Sequence, residues 1–221
     1  MKNLNFVCLA NSIKLRGRCI AGITMAGKWI RPVSSEPHGT LYPLHYTLND
    51  GSEPSILDII RIQAAPSPEP HQPENWRISG ARWQRVGRLS MQQGRPWLHE
   101  TASPGPHILG SLLNGVSYDD LVEHPMQSSL CVVEPRGILW GITHNVAGNR
   151  QVRAAFRLAG ADYNLPVSDP SWKDHLRNLE FGSYADNEVG ISTGRSTFLT
   201  VSLAEPFNGV CYKLIAAVIV L

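Results

Sequence analysis

The densest group of side chains that could bind an anion lies within the first 31 residues. Polar, cationic and aromatic residues follow short apolar runs here: Asn11, Ser12, Lys14, Arg16, Arg18, Trp29 and Arg31. Guanidinium and ammonium groups bind phosphate, and an indole ring stacks on a nucleobase. No Asp or Glu occurs before Glu36 to neutralise the cations. The pattern predicts a site for a phosphate-containing ligand, although a solvated hairpin tip with Arg31 paired to a carboxylate also fits.

The elements that would position these residues can be inferred from the apolar pattern. We expect Asn11, Ser12, Lys14 and Arg16 in a loop between two apolar strands, where polar side chains are free to meet an anion. Trp29 and Arg31 alternate with Ile30. Because successive strand residues point to opposite faces, the two should share the face opposite the core.

A second group of polar residues could support hydrolysis. The best candidates for a divalent-metal or general acid–base set are Asp58, Glu74 and Asn75, near His71 and with Asp169. Their spacing matches no hydrolytic motif, and the chain contains no nucleophile elbow, Walker motif or zinc-ligand spacing. Glu74 and Asn75 could instead satisfy backbone groups, and Asp58 could pair with an arginine. Binding is therefore favoured over catalysis, which stays open, and we expect no metal or cofactor.

Charge is unevenly distributed along the 221 residues. The 20 basic and 18 acidic residues give a formal net charge of +2, yet residues 1–35, 76–99 and 135–161 contain no acid. Arginine accompanied by aromatic rings, as in these windows, is typical of surfaces that bind single-stranded nucleic acid or nucleotides. The second window adds Arg82 and Arg85 as secondary candidates. An arginine-rich composition and core tryptophans would give the same pattern without such a surface. The pattern supports a binding surface only if folding brings the three windows together.

The apolar runs are short and bounded by Gly, Pro, Asn or Asp, which is typical of a β-rich protein. Weak helical signals cover residues 105–113, 117–123 and 171–179. Residues 64–73 hold four prolines and residues 182–196 are polar, so both should be long loops. No apolar run approaches the roughly 20 residues that span a bilayer. We expect a soluble, cytoplasmic, mostly β protein with a few short helices and no membrane partner.

Two motifs carry a resemblance to a known family. The run Leu-Ala-Asn-Ser-x-Lys-x-x-Gly-Arg-Cys-Ile-Ala-Gly from Leu9, with Trp-Ile-Arg-Pro-Val-Ser from Trp29, resembles the dual OB-containing domain family of bacterial proteins. Shorter matches extend the resemblance over nearly the whole chain, at residues 57–59, 72–75, 128–130, 156–163, 202–207 and 211–214. It implies two OB-type β-barrels and a nucleic-acid or nucleotide-binding role in bacterial defence. It carries over no catalytic residues.

The resemblance also implies a division of the chain. Residues 1–100, with the proline-rich loop 64–73, should form the first OB-like barrel and residues 101–221 the second, unless the C-terminal strands pack on the first. A Gly-x-Cys strand follows both Phe6 and Phe198 at the same eleven-residue spacing, which fits two related barrels or a chance similarity.

The predicted function is a module that binds single-stranded nucleic acid or a nucleotide-derived ligand, with other defence-system proteins as further partners. A metal-dependent phosphodiesterase or nucleotide hydrolase and a protein-interaction adaptor are the alternatives.

Overall fold

Strands dominate the computed structural model, which describes residues 1–221. In chain order the elements are β1 (Lys2–Lys14), β2 (Gly17–Ile23), β3 (Trp29–Val33), a 3₁₀ turn (Pro37–Gly39), α1 (Pro43–Tyr46), β4 (Asp58–Pro66), β5 (Asn75–Ile78), β6 (Gln84–Arg88), α2 (Met91–Thr101), β7 (Gly115–Ser117), α3 (Tyr118–Glu123), β8 (Leu130–Val133), β9 (Arg136–His144), β10 (Arg150–Leu158), β11 (Ala161–Pro166), α4 (Pro170–His175), β12 (Gly182–Ala185), β13 (Thr197–Phe207) and β14 (Val210–Val220). The expected fold class, mostly β with curled OB-like sheets and a few short helices, is confirmed. No helix is both long and apolar enough to cross a membrane.

The N-terminal half forms one six-stranded sheet that curls back on itself, in the order β1-β2-β3-β5-β4-β6. The long strand β1 closes it, because its first half pairs with β4 and its second half with β2. The register shifts after Cys8, and such a bulge bends a strand between two partners. Eleven buried residues fill the interior, where Phe6 meets Trp83 edge-on at 6.5 Å between ring centroids.

The C-terminal half contains two four-stranded sheets, β11-β10-β9-β12 and β7-β14-β13-β8. Together they enclose the largest core, 23 buried residues that include Trp140 and Trp172 with ring centroids 4.7 Å apart. Asp169 caps the short helix α4 by accepting hydrogen bonds from the backbone of Ser171 and Trp172, which satisfies amides that have no partner within the helix.

A third core of 14 buried residues lies between the halves and draws from both, so the C-terminal strands pack against β1 and β2. Val7 and Leu9 contribute from one side, and Phe198 and Ile219 from the other. The Thr200 hydroxyl also donates a hydrogen bond of 2.7 Å to the Leu9 carbonyl. The two Gly-x-Cys strands are β2 and β14, each the second strand of an antiparallel hairpin.

The helix expected over residues 105–113 is wrong, because this segment forms bends and turns with Leu109 and Gly110 at positive φ. Helix α2 was not predicted, since Gly94 and Pro96 lie inside it and both residues weaken helices. It forms nonetheless because Ser90 caps it and Leu98 is buried in the third core.

Candidate functional site

The N-terminal candidates lie on a strand, so the expected loop over residues 11–16 is wrong. Strand β1 continues through Lys14, which pairs with Gly17 across a turn of only Leu15 and Arg16. Since side chains alternate along a strand, Ser12 and Lys14 face one side and Asn11 the other. After the bulge at Cys8, the pairing with β2 is continuous from Ala10 to Lys14.

Ser12 and Lys14 line a cavity of about 260 Å³ where the two halves meet. The C-terminal half contributes strand β13, including Ser202 and Glu205. A second cavity of about 310 Å³ is lined mainly by polar side chains, among them His71, Asn75 and Arg77. Since His38, Gln72 and Glu205 line both, the cavities are two chambers of one cleft. We call it the junction cleft, with an apolar and a polar chamber.

Glu205 lies at the centre of the junction cleft and links its cationic groups. Its carboxylate accepts a hydrogen bond of 2.7 Å from Lys14 Nζ and lies 3.0 Å from His71 Nε2 and 3.8 Å from His38 Nδ1. Gln72 donates to it as well, at 3.4 Å. Burial alone would raise the pKa of Glu205, but hydrogen bonds from His71 and Lys14 and their charges lower the pKa to about 2. The carboxylate is therefore ionised at neutral pH.

Arg31 forms the floor of the apolar chamber rather than a solvent-facing surface. Its guanidinium pairs with Glu74 at 2.9 Å, and both side chains are 2% exposed. It also donates to the hydroxyls of Ser129 and Ser202 from the C-terminal half. The expectation that Arg31 lies opposite the core is wrong because the second half covers that face of β3. The alternative interpretation, in which Arg31 pairs with a carboxylate, agrees with the observed contact to Glu74.

Three buried polar atoms around the cleft have no partner within the protein. Six buried side-chain nitrogen or oxygen atoms in the chain lack a hydrogen bond, and Arg31 Nε, His71 Nδ1 and Asn75 Oδ1 are among them. Each unpartnered buried group costs about 1–3 kcal/mol. All three belong to residues that line the cleft, and a ligand with both donors and acceptors would satisfy them if these side chains reorient on binding.

The remaining N-terminal candidates lie elsewhere. Asn11 and Arg18 line a separate groove of about 210 Å³ with Glu53, the partner of Arg18 at 3.4 Å. Arg16 is exposed in the turn, and Trp29 packs against the third core. Of the seven primary candidates, the structure therefore brings together Ser12, Lys14 and Arg31.

The predicted hydrolytic set is not assembled. Asp58 is fully buried and lies 3.2 Å from Arg88 and 3.8 Å from Arg85, whereas Glu74 is held by Arg31. Asp169 serves as the helix cap, and no group of three or more His, Cys, Asp or Glu is arranged to hold a metal ion. Each carboxylate is thus committed to a separate structural contact.

The other secondary candidates also have separate positions. Asn75 lines the polar chamber, Arg82 is exposed and Arg85 pairs with Asp50. None of the three forms a hydrogen bond or an ion pair with Lys14, whose partner is Glu205.

Sequence reasoning missed Glu205, His38 and Gln72 as site residues. Glu205 and Gln72 lie in short segments that carry the family resemblance, and those segments converge at the cleft: residues 72–75, 128–130 and 202–207. Taking these weak motifs together would have found the site. His38 has no such signal, although its positive φ of 58° marks backbone strain that is often found at functional positions.

Comparison with known protein families finds a match over nearly the whole chain. The model of the dual OB-containing domain family matches residues 4–218. No curated protein and no solved structure matches the chain.

Proposed function

Because the chain belongs to the dual OB-containing domain family, we propose that it binds a nucleotide unit, free or within single-stranded nucleic acid, in the junction cleft. OB folds commonly bind oligonucleotides. The observation that carries the proposal is the presence of Lys14, Arg31 and three unpartnered buried polar atoms around one cleft.

The two chambers differ in a way that suits the two parts of a nucleotide. Ile13, Leu203 and Leu214 give the first chamber apolar walls for a base. The second is lined by imidazole, hydroxyl and amide groups, by the carboxylates of Glu36, Glu69 and Glu205 and by Arg77, which suits the hydroxyls of a sugar and leaves Arg77 for a phosphate. Volumes of about 260 and 310 Å³ together fall within the range of roughly 300–1,000 Å³ typical of ligand sites.

The cations favour this cleft over the larger cavity beside β7 and α3. That cavity measures about 850 Å³, but neither Lys nor Arg lines it. In the junction cleft Lys14 lines one chamber and Arg77 the other. A phosphate-containing ligand would thus meet Arg77, which has no ion pair, in the polar chamber, and would compete with Glu205 for Lys14 in the apolar chamber.

The direct test is fluorescence anisotropy with labelled single-stranded RNA, single-stranded DNA and mononucleotides at several salt concentrations. We expect binding that weakens with salt, because phosphate contacts release counterions. Lys14→Ala should weaken it at least tenfold, whereas Lys28→Ala, which removes an exposed lysine without an ion pair, should not. The absence of salt-sensitive binding to every probe would overturn the proposal.

Two further elements of the proposal rest on the family alone. The first is that residues 1–100 and 101–221 are the two OB units. The second is that defence-system proteins are partners, and co-purification from a native host would test it. Hydrolysis is not included, because Asp58 and Glu74 are each held by a different arginine.

A further inference from the structure

A second groove lies at the other end of strand β13 from Glu205. It measures about 620 Å³ and is lined by the start of β9, including Arg136, and by the loop between β12 and β13, including Ser192, Thr193 and Arg195. We call it the arginine groove. Neither the family motifs nor the proposed nucleotide site accounts for it.

The arginines of this groove are not neutralised by the protein. Arg136 and Arg195 are exposed, and neither side chain makes a hydrogen bond or an ion pair. Arg95 of α2 approaches the same loop and donates a hydrogen bond of 3.3 Å to the carbonyl of Gly194. Arg136 and Arg195 thus line the groove from two separate parts of the chain, and Arg95 lies beside it.

The pairing of β9 with β10 adds an independent observation. Arg136 lies opposite Arg157 in the ladder, and like charges in directly opposed positions destabilise a sheet. Arg157 has a carboxylate 3.6 Å away in Asp162, which is 84% exposed and therefore strongly solvated. An anion bound beside Arg136 would relieve the repulsion.

The acidic residues of the groove are already engaged. Glu134 accepts from His99 at 2.6 Å, and Asp186 accepts from the Trp140 indole at 2.9 Å and from the Ile138 amide at 3.3 Å. Both carboxylates therefore have donors other than the arginines. The hydroxyls along the loop, those of Ser192, Thr193 and Ser196, add donors suited to phosphate oxygens.

From these contacts we propose that the arginine groove binds the backbone phosphates of a single-stranded nucleic acid, one nucleotide of which occupies the junction cleft. This inference rests on the proposed function and makes the ligand a strand rather than a mononucleotide. Thr197 and Glu205 are eight residues apart on β13, or about 26 Å at the usual rise of a strand. A single strand that kept the roughly 3.4 Å spacing of a stacked helix would need roughly eight nucleotides to cover that distance, and a more extended strand would need fewer.

The test compares the double variant Arg136→Ala/Arg195→Ala with Lys28→Ala/Arg177→Ala, which removes the same charge elsewhere. For an oligonucleotide of about 12 nucleotides, we expect the first variant to weaken binding at least tenfold and to reduce the salt slope by roughly 1.4, about 0.7 for each lost phosphate contact. Its affinity for a mononucleotide should stay within twofold of the wild type. Equal oligonucleotide affinity of the two double variants would overturn the inference.

The two proposals can fail separately. If Lys14→Ala abolishes mononucleotide binding while the arginine variant binds the oligonucleotide normally, only the arginine groove is refuted. If the arginine variant weakens oligonucleotide binding and Lys14→Ala has no effect on any ligand, the junction cleft is refuted and the anion site is retained. Absence of binding to every probe refutes both.

Discussion

The guanidinium of Arg31 and the carboxylate of Glu74 form an ion pair of 2.9 Å that is almost completely buried between the two halves of the protein. Ser129, from the C-terminal half, donates to the same carboxylate through both its hydroxyl, at 2.7 Å, and its amide, at 2.9 Å. The pair therefore holds the halves in register and fixes the floor of the junction cleft.

Glu74→Gln should destabilise the protein strongly. The substitution leaves Arg31 buried without a counter-charge. Removing one member of a buried ion pair lowers the free energy of unfolding by about 3–5 kcal/mol. Urea denaturation would measure the loss in the free energy of unfolding. Glu53→Gln is the matched control, because Glu53 is 48% exposed and its pair with Arg18 should contribute less than about 1 kcal/mol. A similar small loss for both variants would contradict this account.

The third core predicts that both halves unfold together. Phe198 is completely buried in that core, so Phe198→Ala should cost about 3–5 kcal/mol and lower the midpoint of a single transition. Phe207→Ala, at a position 67% exposed, should change stability little. Calorimetry that resolves two transitions, only one of them shifted by Phe198→Ala, would show that the halves are independent.

Acid should weaken the contribution of Glu205 to stability. Its folded pKa of about 2 lies below the ordinary value of 4.5, so the stabilisation is complete above about pH 5 and is lost as pH falls towards 2. Urea denaturation of the wild type and Glu205→Gln between pH 7 and pH 2 would measure this difference. It should shrink with acid, and a difference independent of pH would contradict the predicted ion pairs.

Lys213 should show a pH dependence of the same sign in the alkaline range, because its pKa is also lowered on folding. Its ammonium group is buried and donates to the carbonyls of Ser111 at 2.7 Å and Leu113 at 2.6 Å. Burial lowers its pKa from 10.5 to about 8, so the unfolded chain binds the proton more tightly between those values. Stability relative to Lys213→Met should therefore rise between about pH 8 and pH 10.5. A fall over this range would contradict the assigned burial.

The fold class could be predicted from the sequence because short apolar runs and turn residues are local signals. Helix α2 could not, since its capping by Ser90 and the burial of Leu98 outweigh the unfavourable Gly94 and Pro96. The burial of Arg31 was missed for a related reason. Alternation along β3 identifies two faces, but only the packing of the other half shows that both are covered.

The candidate site could be predicted only in part. Ser12 and Lys14 lie close together in the chain, so one motif contains both. Glu205 is 191 residues from Lys14 and lies beside it only because β13 packs against the first half. No spacing rule links such distant positions, and the weak motif around residues 202–207 was the only sequence signal for it.

The position of a bound nucleotide tests the central claim most directly. An amide NMR titration with a mononucleotide should shift the resonances of Ser12, Lys14, Gln72 and Glu205 most, because these residues line the junction cleft. The amides of β10, on a different sheet, should shift little. Saturable shifts centred on the cleft are the predicted result, and saturable shifts centred elsewhere with the cleft unchanged would contradict the account.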